Sequence, residues 1–280
     1  MLLGTVQITG EELSEAEVKE VCDSLRDNSI RLLSLRGCVV QDEDFKKLAE
    51  CLKENDSLAQ LNLNLGICNG KHRIRWLAEA LSGNKSLNAL FLHGTNLSDG
   101  CLEMLIPSIQ GHPNLQSLDL GDCQIRDEGI QHICALLSPA DDKAGVQDLT
   151  LSANPAVTPY GWTQLAVAMA ANPQIKCLYL DYNNIGDYGA GVFSVAMAAN
   201  TGLERVDFEG TGITDKGAMV LANVVKCHCK NLQELVLAEN AISTDLIDQI
   251  TGCLATGAEN GDDMDASGEN GHSDNSPIKS

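Results

Sequence analysis

Few residues in this chain stand at spacings that do chemistry on their own. Glu128 and His132 are four apart, which puts them on one face of a helix, but no second histidine completes a zinc motif. Cys227-His228-Cys229 groups three metal-binding side chains, yet no second ligand cluster accompanies them, so the segment reads as a helix end and a loop. Gly210-Thr211-Gly212 with Lys216 offers glycines and a lysine without the spacing that cradles a phosphate. Ser, His and Asp occur without a motif that pairs nucleophile with base. The sequence thus gives no catalytic residue, no metal site and no cofactor, and a non-enzymatic protein is expected.

What remains is a set of carboxylates and tyrosines that recur at a fixed step, and the step comes from the frame that carries them. The pattern Leu-x-x-Leu-x-Leu-x-x-Asn/Cys-x-Ile/Leu appears as Leu115, Leu118, Leu120, Cys123 and Ile125. It returns as Ile175, Leu178, Leu180, Asn183 and Ile185, and as Leu232, Leu235, Leu237, Asn240 and Ile242. The step is about 28 residues, the signature of a leucine-rich repeat solenoid. Unit starts fall at Leu3, Ile30, Leu58, Leu87, Leu115, Val146, Ile175, Leu203 and Leu232, which makes about nine units.

Each unit reads as a short strand with alternating inward leucines, then a helix with one apolar face. The first unit is degenerate, with its strand at Val6-Gln7-Ile8 and Leu13 in the late apolar slot. The third carries Gly66 where Asn or Cys is expected, and Ile67 comes one residue early. An insertion, Pro139 to Lys143, reads as a loop at one rim. Asp42, Asp99, Asp127, Asp187 and Asp215, with Thr244 in the last unit, mark helix starts and are expected to cap their own helices. A glycine follows two residues on in several units, at Gly129, Gly161, Gly189 and Gly217.

The fold class expected is α/β, a leucine-rich repeat horseshoe. Strands spaced about 4.8 Å apart cannot stack flat against helices about 10 Å wide, so parallel strands line the concave face and helices the convex one. The Asn/Cys side chains form a polar ladder that satisfies backbone groups where each strand ends. Residues 1–257 form the repeat domain, and 258–280, rich in Glu, Asn, Gly, Asp and Ser, is expected to be a disordered acidic tail.

On the concave face the early units give a largely uncharged surface of Leu32, Ser34, Arg36, Gln60, Asn62, Asn64, Phe91 and His93. From the fifth unit onward the face carries Asp119, Asp122, Asp148, Tyr179, Asp181, Tyr182, Arg205, Asp207, Glu209, Glu234 and Glu239. Tyrosine with carboxylates suits a basic protein partner, because the rings supply area and the charges steer association. The formal net charge is -20, of which the tail contributes six acids against one lysine. Such acidity argues against nucleic acid and anionic membrane as partners, and it also serves solubility. Trp76 and Trp162 fall on the helical side, where core or rim packing is the ordinary role and exposure of Trp162 would mean a second contact surface.

The eleven cysteines are scattered. Cys38 and Cys123 occupy the Asn/Cys slot, while Cys22, Cys51, Cys134 and Cys253 sit on helices, so they read as buried free thiols of a reducing compartment. Met1 to Gly10 lacks the features of a signal peptide. A cytoplasmic location is expected, with a cilium as an alternative, and the Asn-x-Ser sequons at Asn55, Asn84 and Asn96 carry little weight.

The repeats resemble the ribonuclease-inhibitor-like class of leucine-rich repeats, over about residues 3 to 256. The stretches LRDNSIRLLSLRGC (Leu25 to Cys38), LAQLNLNLG (Leu58 to Gly66), LFLHG (Leu90 to Gly94), LDLGDC (Leu118 to Cys123), LTLSANP (Leu149 to Pro155) and LVLAEN (Leu235 to Asn240) carry a closer likeness within that class. The resemblance implies a non-enzymatic intracellular protein, and a scaffold for a protein partner is the leading expectation. Regulation of a small GTPase and a structural place in a cytoskeletal or ciliary assembly are the alternatives.

Overall fold

The fold, taken from a computed structural model that describes residues 4–137 and 145–259, repeats one strand and one helix per unit. The strands β1 (Gly4–Thr9), β2 (Ile30–Arg36), β3 (Gln60–Asn62), β4 (Ala89–Phe91), β5 (Ser117–Asp119), β6 (Asp148–Thr150), β7 (Cys177–Tyr179), β8 (Arg205–Asp207) and β9 (Glu234–Val236) form one parallel sheet in sequence order. The helices are α1 (Glu15–Arg26), α2 (Asp42–Glu54), α3 (Lys71–Gly83), α4 (Asp99–Gln110), α5 (Asp127–Leu136), α6 (Pro159–Ala171), α7 (Gly186–Ala199), α8 (Asp215–His228) and α9 (Thr244–Glu259). The expected rim loop at Pro139 to Lys143 and the tail from Asn260 onward lie outside the described residues. Among the described residues, no helix is long and apolar enough to cross a membrane.

Register turns the repeat into a ladder. Leu33, Leu61, Leu90, Leu118, Leu149, Leu178, Val206 and Leu235 pair directly across neighbouring strands. All but Leu235, on the terminal strand, are fully buried against the helices. Trp162 belongs to this core at 1% exposure, with its ring 6.5 Å from that of Phe193, so it offers no second contact surface. Among the described residues the cysteines form no disulfide and six of them are buried, whereas Cys134 and Cys253, expected in the core, are only partly buried. Burial pushes the Cys22 and Cys123 thiols up to about 12, which leaves them as small hydrophobes.

The expected polar ladder is present. The Asn154 amide donates to Leu120 O (3.0 Å) and Leu151 O (2.9 Å) and accepts from the N–H groups of Cys123 and Ile125. Asn183 donates to Leu151 O (2.9 Å) and Leu180 O (2.8 Å) and accepts from Asn154 N (2.7 Å). Thr211 fills the slot in the eighth unit, and its hydroxyl donates to Phe208 O at 2.6 Å. In the third unit Gly66 leaves the slot empty, and Arg73 reaches over from α3 instead. Its guanidinium donates to Ile67 O (2.8 Å) and Val40 O (2.7 Å) and binds Asp42.

A second ladder, unforeseen from the sequence, runs along the helix C-termini. Asn55 and Asn84 cap α2 and α3 and are buried. Asn55 donates to Leu25 O (2.7 Å), one unit back, and Asn84 donates to Leu52 O and Asn55 O (both 2.8 Å). Two of the three sequon asparagines are therefore structural.

The acids at the helix starts do something other than cap their own helices. Asp42, Asp99, Asp127 and Asp215 each open a helix, and Asp187 is the second residue of α7. The side-chain bonds of Asp42, Asp127, Asp187 and Asp215 run to the next unit. Asp187 accepts from Thr214 N (2.8 Å), Thr214 Oγ1 (2.7 Å) and Gly217 N (3.1 Å), which holds its carboxyl below the usual range. Asp127 takes Thr158 in the same way, and Asp215 takes Ser243 N. Self-capping falls instead to Ser14, Thr158 and Thr214. The recurring glycine follows from this staple: a Cβ on Gly217 would lie 2.7 Å from Asp187 Oδ1 and 3.0 Å from the Ala190 Cβ.

Asn183→Ala leaves buried carbonyls and the Asn154 amide unmatched and is expected to lower unfolding free energy by about 2–3 kcal/mol. The exposed neighbour substitution Asn184→Ala should change it by less than about 0.5 kcal/mol; urea unfolding followed by circular dichroism distinguishes the two. Gly217→Ala forces the α8 start away from Asp187 and is expected to cost about 1–3 kcal/mol by the same measurement.

Candidate functional site

The concave face is ruled into rows by strand register. One row runs Phe91, Asp119, Thr150, Tyr179, Asp207 and Val236. A second runs Ala89, Ser117, Asp148, Cys177, Arg205 and Glu234. Past the strand ends, backbone bonds between units align His93, Gly121, Ser152, Asp181, Glu209 and Ala238. A last row, Leu65, Gly94, Asp122, Ala153, Tyr182, Gly210 and Glu239, stands in the left-handed backbone region, with φ between 49 and 72 degrees. A residue there points its side chain at the rim of the face, at some conformational cost when it is not glycine.

All eleven residues expected from the sequence lie on this face, in two groups. The larger holds Asp119, Asp181, Asp207, Glu209, Tyr182 and Glu239. Asp119 accepts Gly121 N–H at 2.9 Å, and His93 Nδ1 stands 3.7 Å away. Burial pushes the Asp119 carboxyl up, and the Asp181 charge adds to the rise. Asp207 accepts Glu209 N–H at 2.9 Å and is also raised, first by burial and then by Asp181 and Glu209. Asp181 takes the Ser152 hydroxyl. The face therefore keeps carboxylates close together although burial and mutual repulsion both disfavour their charge.

Tyr182 leans over the next unit. Its hydroxyl donates to Glu209 Oε1 at 2.8 Å, and this bond pushes the phenol up to about 12. A Cβ at Gly210 would sit 2.8 Å from the ring, so glycine there makes room for the tyrosine and not for a phosphate. Tyr182 remains 48% exposed. The smaller group holds Asp148, Tyr179, Arg205 and Glu234. The Arg205 guanidinium lies 5.5 Å from the Tyr179 ring centre and 3.1 Å from Glu234 Oε1. Asp122 stands alone at the rim.

Leu65 was missed. It occupies the row of Tyr182 at 49% exposure, flanked by Gly37 and Gly94, which make space for it. The signal was the irregular third unit. Among the described residues, no group of three or more His, Cys, Asp or Glu side chains could hold a metal ion. Cys227 is exposed at the end of α8, and Cys229 Sγ donates to Met197 O at 3.8 Å.

Known proteins share this frame. The family pattern described as Leucine Rich repeat matches residues 111–134, 171–194 and 199–222. Ribonuclease inhibitor from Sus scrofa is 28% identical over 180 residues, covering 63% of this chain and 39% of that one. Leucine-rich repeat-containing protein 73 from Rattus norvegicus is 50% identical over 259 residues, covering 92% of this chain and 82% of the relative. Its Homo sapiens counterpart is 49% identical with the same coverage. With about half of the residues identical over 92% of its length, the chain belongs to the leucine-rich repeat-containing protein 73 family.

Proposed function

We propose that this chain is a non-enzymatic scaffold that holds a basic segment of a partner protein on its concave face. The observation that carries the reading is the imbalance of charge from the fifth unit onward. Eight carboxylates stand there with one guanidinium, Arg205, which is already engaged by Glu234 and Tyr179. Burial and the Asp181 charge both hold the Asp119 and Asp207 carboxyls above their ordinary range, so a cation seated beside them relieves a repulsion built into the fold. Tyr179 and Tyr182 supply flat, half-exposed area beside these charges. One relative is by name an inhibitor of another protein, a ribonuclease, which supports protein recognition by this repeat class.

Binding of a fluorescent Lys- and Arg-rich peptide, followed by anisotropy, tests the reading. Affinity should fall steeply with salt. Tyr179→Ala combined with Asp181→Ala should weaken it at least tenfold, while the convex control Glu50→Gln with Glu54→Gln should not. Salt-insensitive affinity, or equal losses in both double variants, defeats the proposal.

The same charges make a stability prediction. Folded Asp207 has a raised pKa, so the fold favours its protonated form; the ionised form costs stability above that pKa, and the cost fades as pH falls below it. Asp207→Asn keeps the oxygen that accepts Glu209 N–H and removes the charge. It is expected to raise Tm by a few degrees at pH 7, with the gain shrinking toward pH 4, and to weaken peptide binding at the same time.

A further inference from the structure

The convex surface is charged on α1 to α3, where Lys19, Glu20, Glu43, Lys46, Glu50, Lys53, Arg75 and Glu79 face outward. It changes character at α6 and α7. Helix α6 carries no charged residue, and α7 carries only Asp187, which is engaged by Thr214 and Gly217. Tyr160 (59% exposed), Val167 (64%), Tyr188 (62%) and Val195 (69%) stand in solvent there, with Met219 and Val220 beside them on α8. Between α6 and α7 runs an open groove of about 480 Å³, with Ala166, Ala170, Gly191 and Ala196 among its lining residues.

We propose that two copies of this chain associate through α6 and α7 around a twofold axis parallel to the helices. The repeat places equivalent residues of successive helices in rows. One residue after Asp127, Pro159, Asp187 and Asp215, which are equivalent in the repeat, the row reads Glu128, Tyr160, Tyr188, Lys216 from α5 to α8. Seven residues on it reads Ala135, Val167, Val195, Asn223. A twofold axis between α6 and α7 sets each row against its own reverse. Glu128 then meets Lys216 of the partner subunit, Tyr160 meets Tyr188 of the partner subunit, and valine meets valine. Acid faces base at both flanks, so the patch is complementary to itself in charge as well as apolar in its middle. Curvature opens a gap at the flanks, and the long Glu128 and Lys216 side chains, both exposed, are those that bridge it.

The area sets the strength. Helices of 13 or 14 residues are about 20 Å long and about 10 Å wide, so α6 and α7, the pair the axis relates, offer about 400 Å² per copy. A stable interface needs about 800 Å² per partner. The dimer is therefore a weak one that forms with rising concentration, and salt does not disrupt it, because salt screens the repulsion between two acidic chains.

Sedimentation velocity of the full chain across a concentration series tests this. The native chain should shift from monomer toward dimer, at low and at high salt alike. Val195→Lys, and separately Val167→Lys, should weaken dimerisation at least about tenfold, a loss of about 1.4 kcal/mol, with unchanged circular dichroism because both positions are exposed. Glu128→Lys should weaken it, and adding Lys216→Glu should restore it. Asp181→Ala on the opposite face should leave it unchanged, which separates this proposal from the concave-face reading. A native chain that stays monomeric at the highest concentration overturns the proposal and leaves the groove to a helix of another protein. A dimer indifferent to both valine substitutions overturns it as well.

Discussion

The structure depends on how the backbone is satisfied where each strand turns toward its helix. That turn lies at the edge of a dry core, and its N–H and C=O groups are remote from any regular partner. In most units a side chain meets them at one fixed position; in the fourth, Thr95 holds that position and its buried hydroxyl makes no hydrogen bond among the described residues. Asn154, Asn183 and Asn240 meet them with two donors and an acceptor, whereas Cys123 and Thr211 do it with one group each. Where Gly66 leaves the position empty, Arg73 crosses from its helix to take over the carbonyls of Ile67 and Val40. The period of the whole solenoid is the spacing of this one requirement.

Because the requirement is met between units, the units hold one another. Asn183 bonds to Leu151 of the unit before, Asn84 to Leu52, and Asp187 to Thr214 of the unit after. Each repeat is incomplete without its neighbours, as expected of a quasi-one-dimensional fold. The interior therefore tolerates little variation, and both surfaces are free to vary. The two departures from an ordinary solvated surface fall in the same stretch of the chain. The concave side of units five to nine concentrates carboxylates, and the convex side of units six and seven loses its charges.

Much of this was legible beforehand. The alternation of leucines gave the strand faces, and with them the concave positions of Asp119, Asp148, Tyr179, Arg205, Asp207 and Glu234. The placement of Trp162 in the core followed from the ordinary behaviour of such a residue. The roles that escaped are contacts to other units. Asp127, Asp187 and Asp215 look like caps because a short acid at a helix start is one by local propensity, yet each bonds forward instead. Asn55 and Asn84 look like sequons and are buried capping groups of the second ladder.

The sequence by itself determined the period, the class of fold and the face on which each strand residue stands, because these follow from local alternation and a repeated spacing. Only the tertiary structure decided which side chains meet. Tyr182 reaches Glu209, Arg205 covers Tyr179, and Asp181 stands close enough to Asp119 and Asp207 to raise both carboxyls. These pairs are about one unit apart or more in the chain. Their proximity is set by the parallel register of the sheet and the packing of successive helices, and no local propensity encodes it.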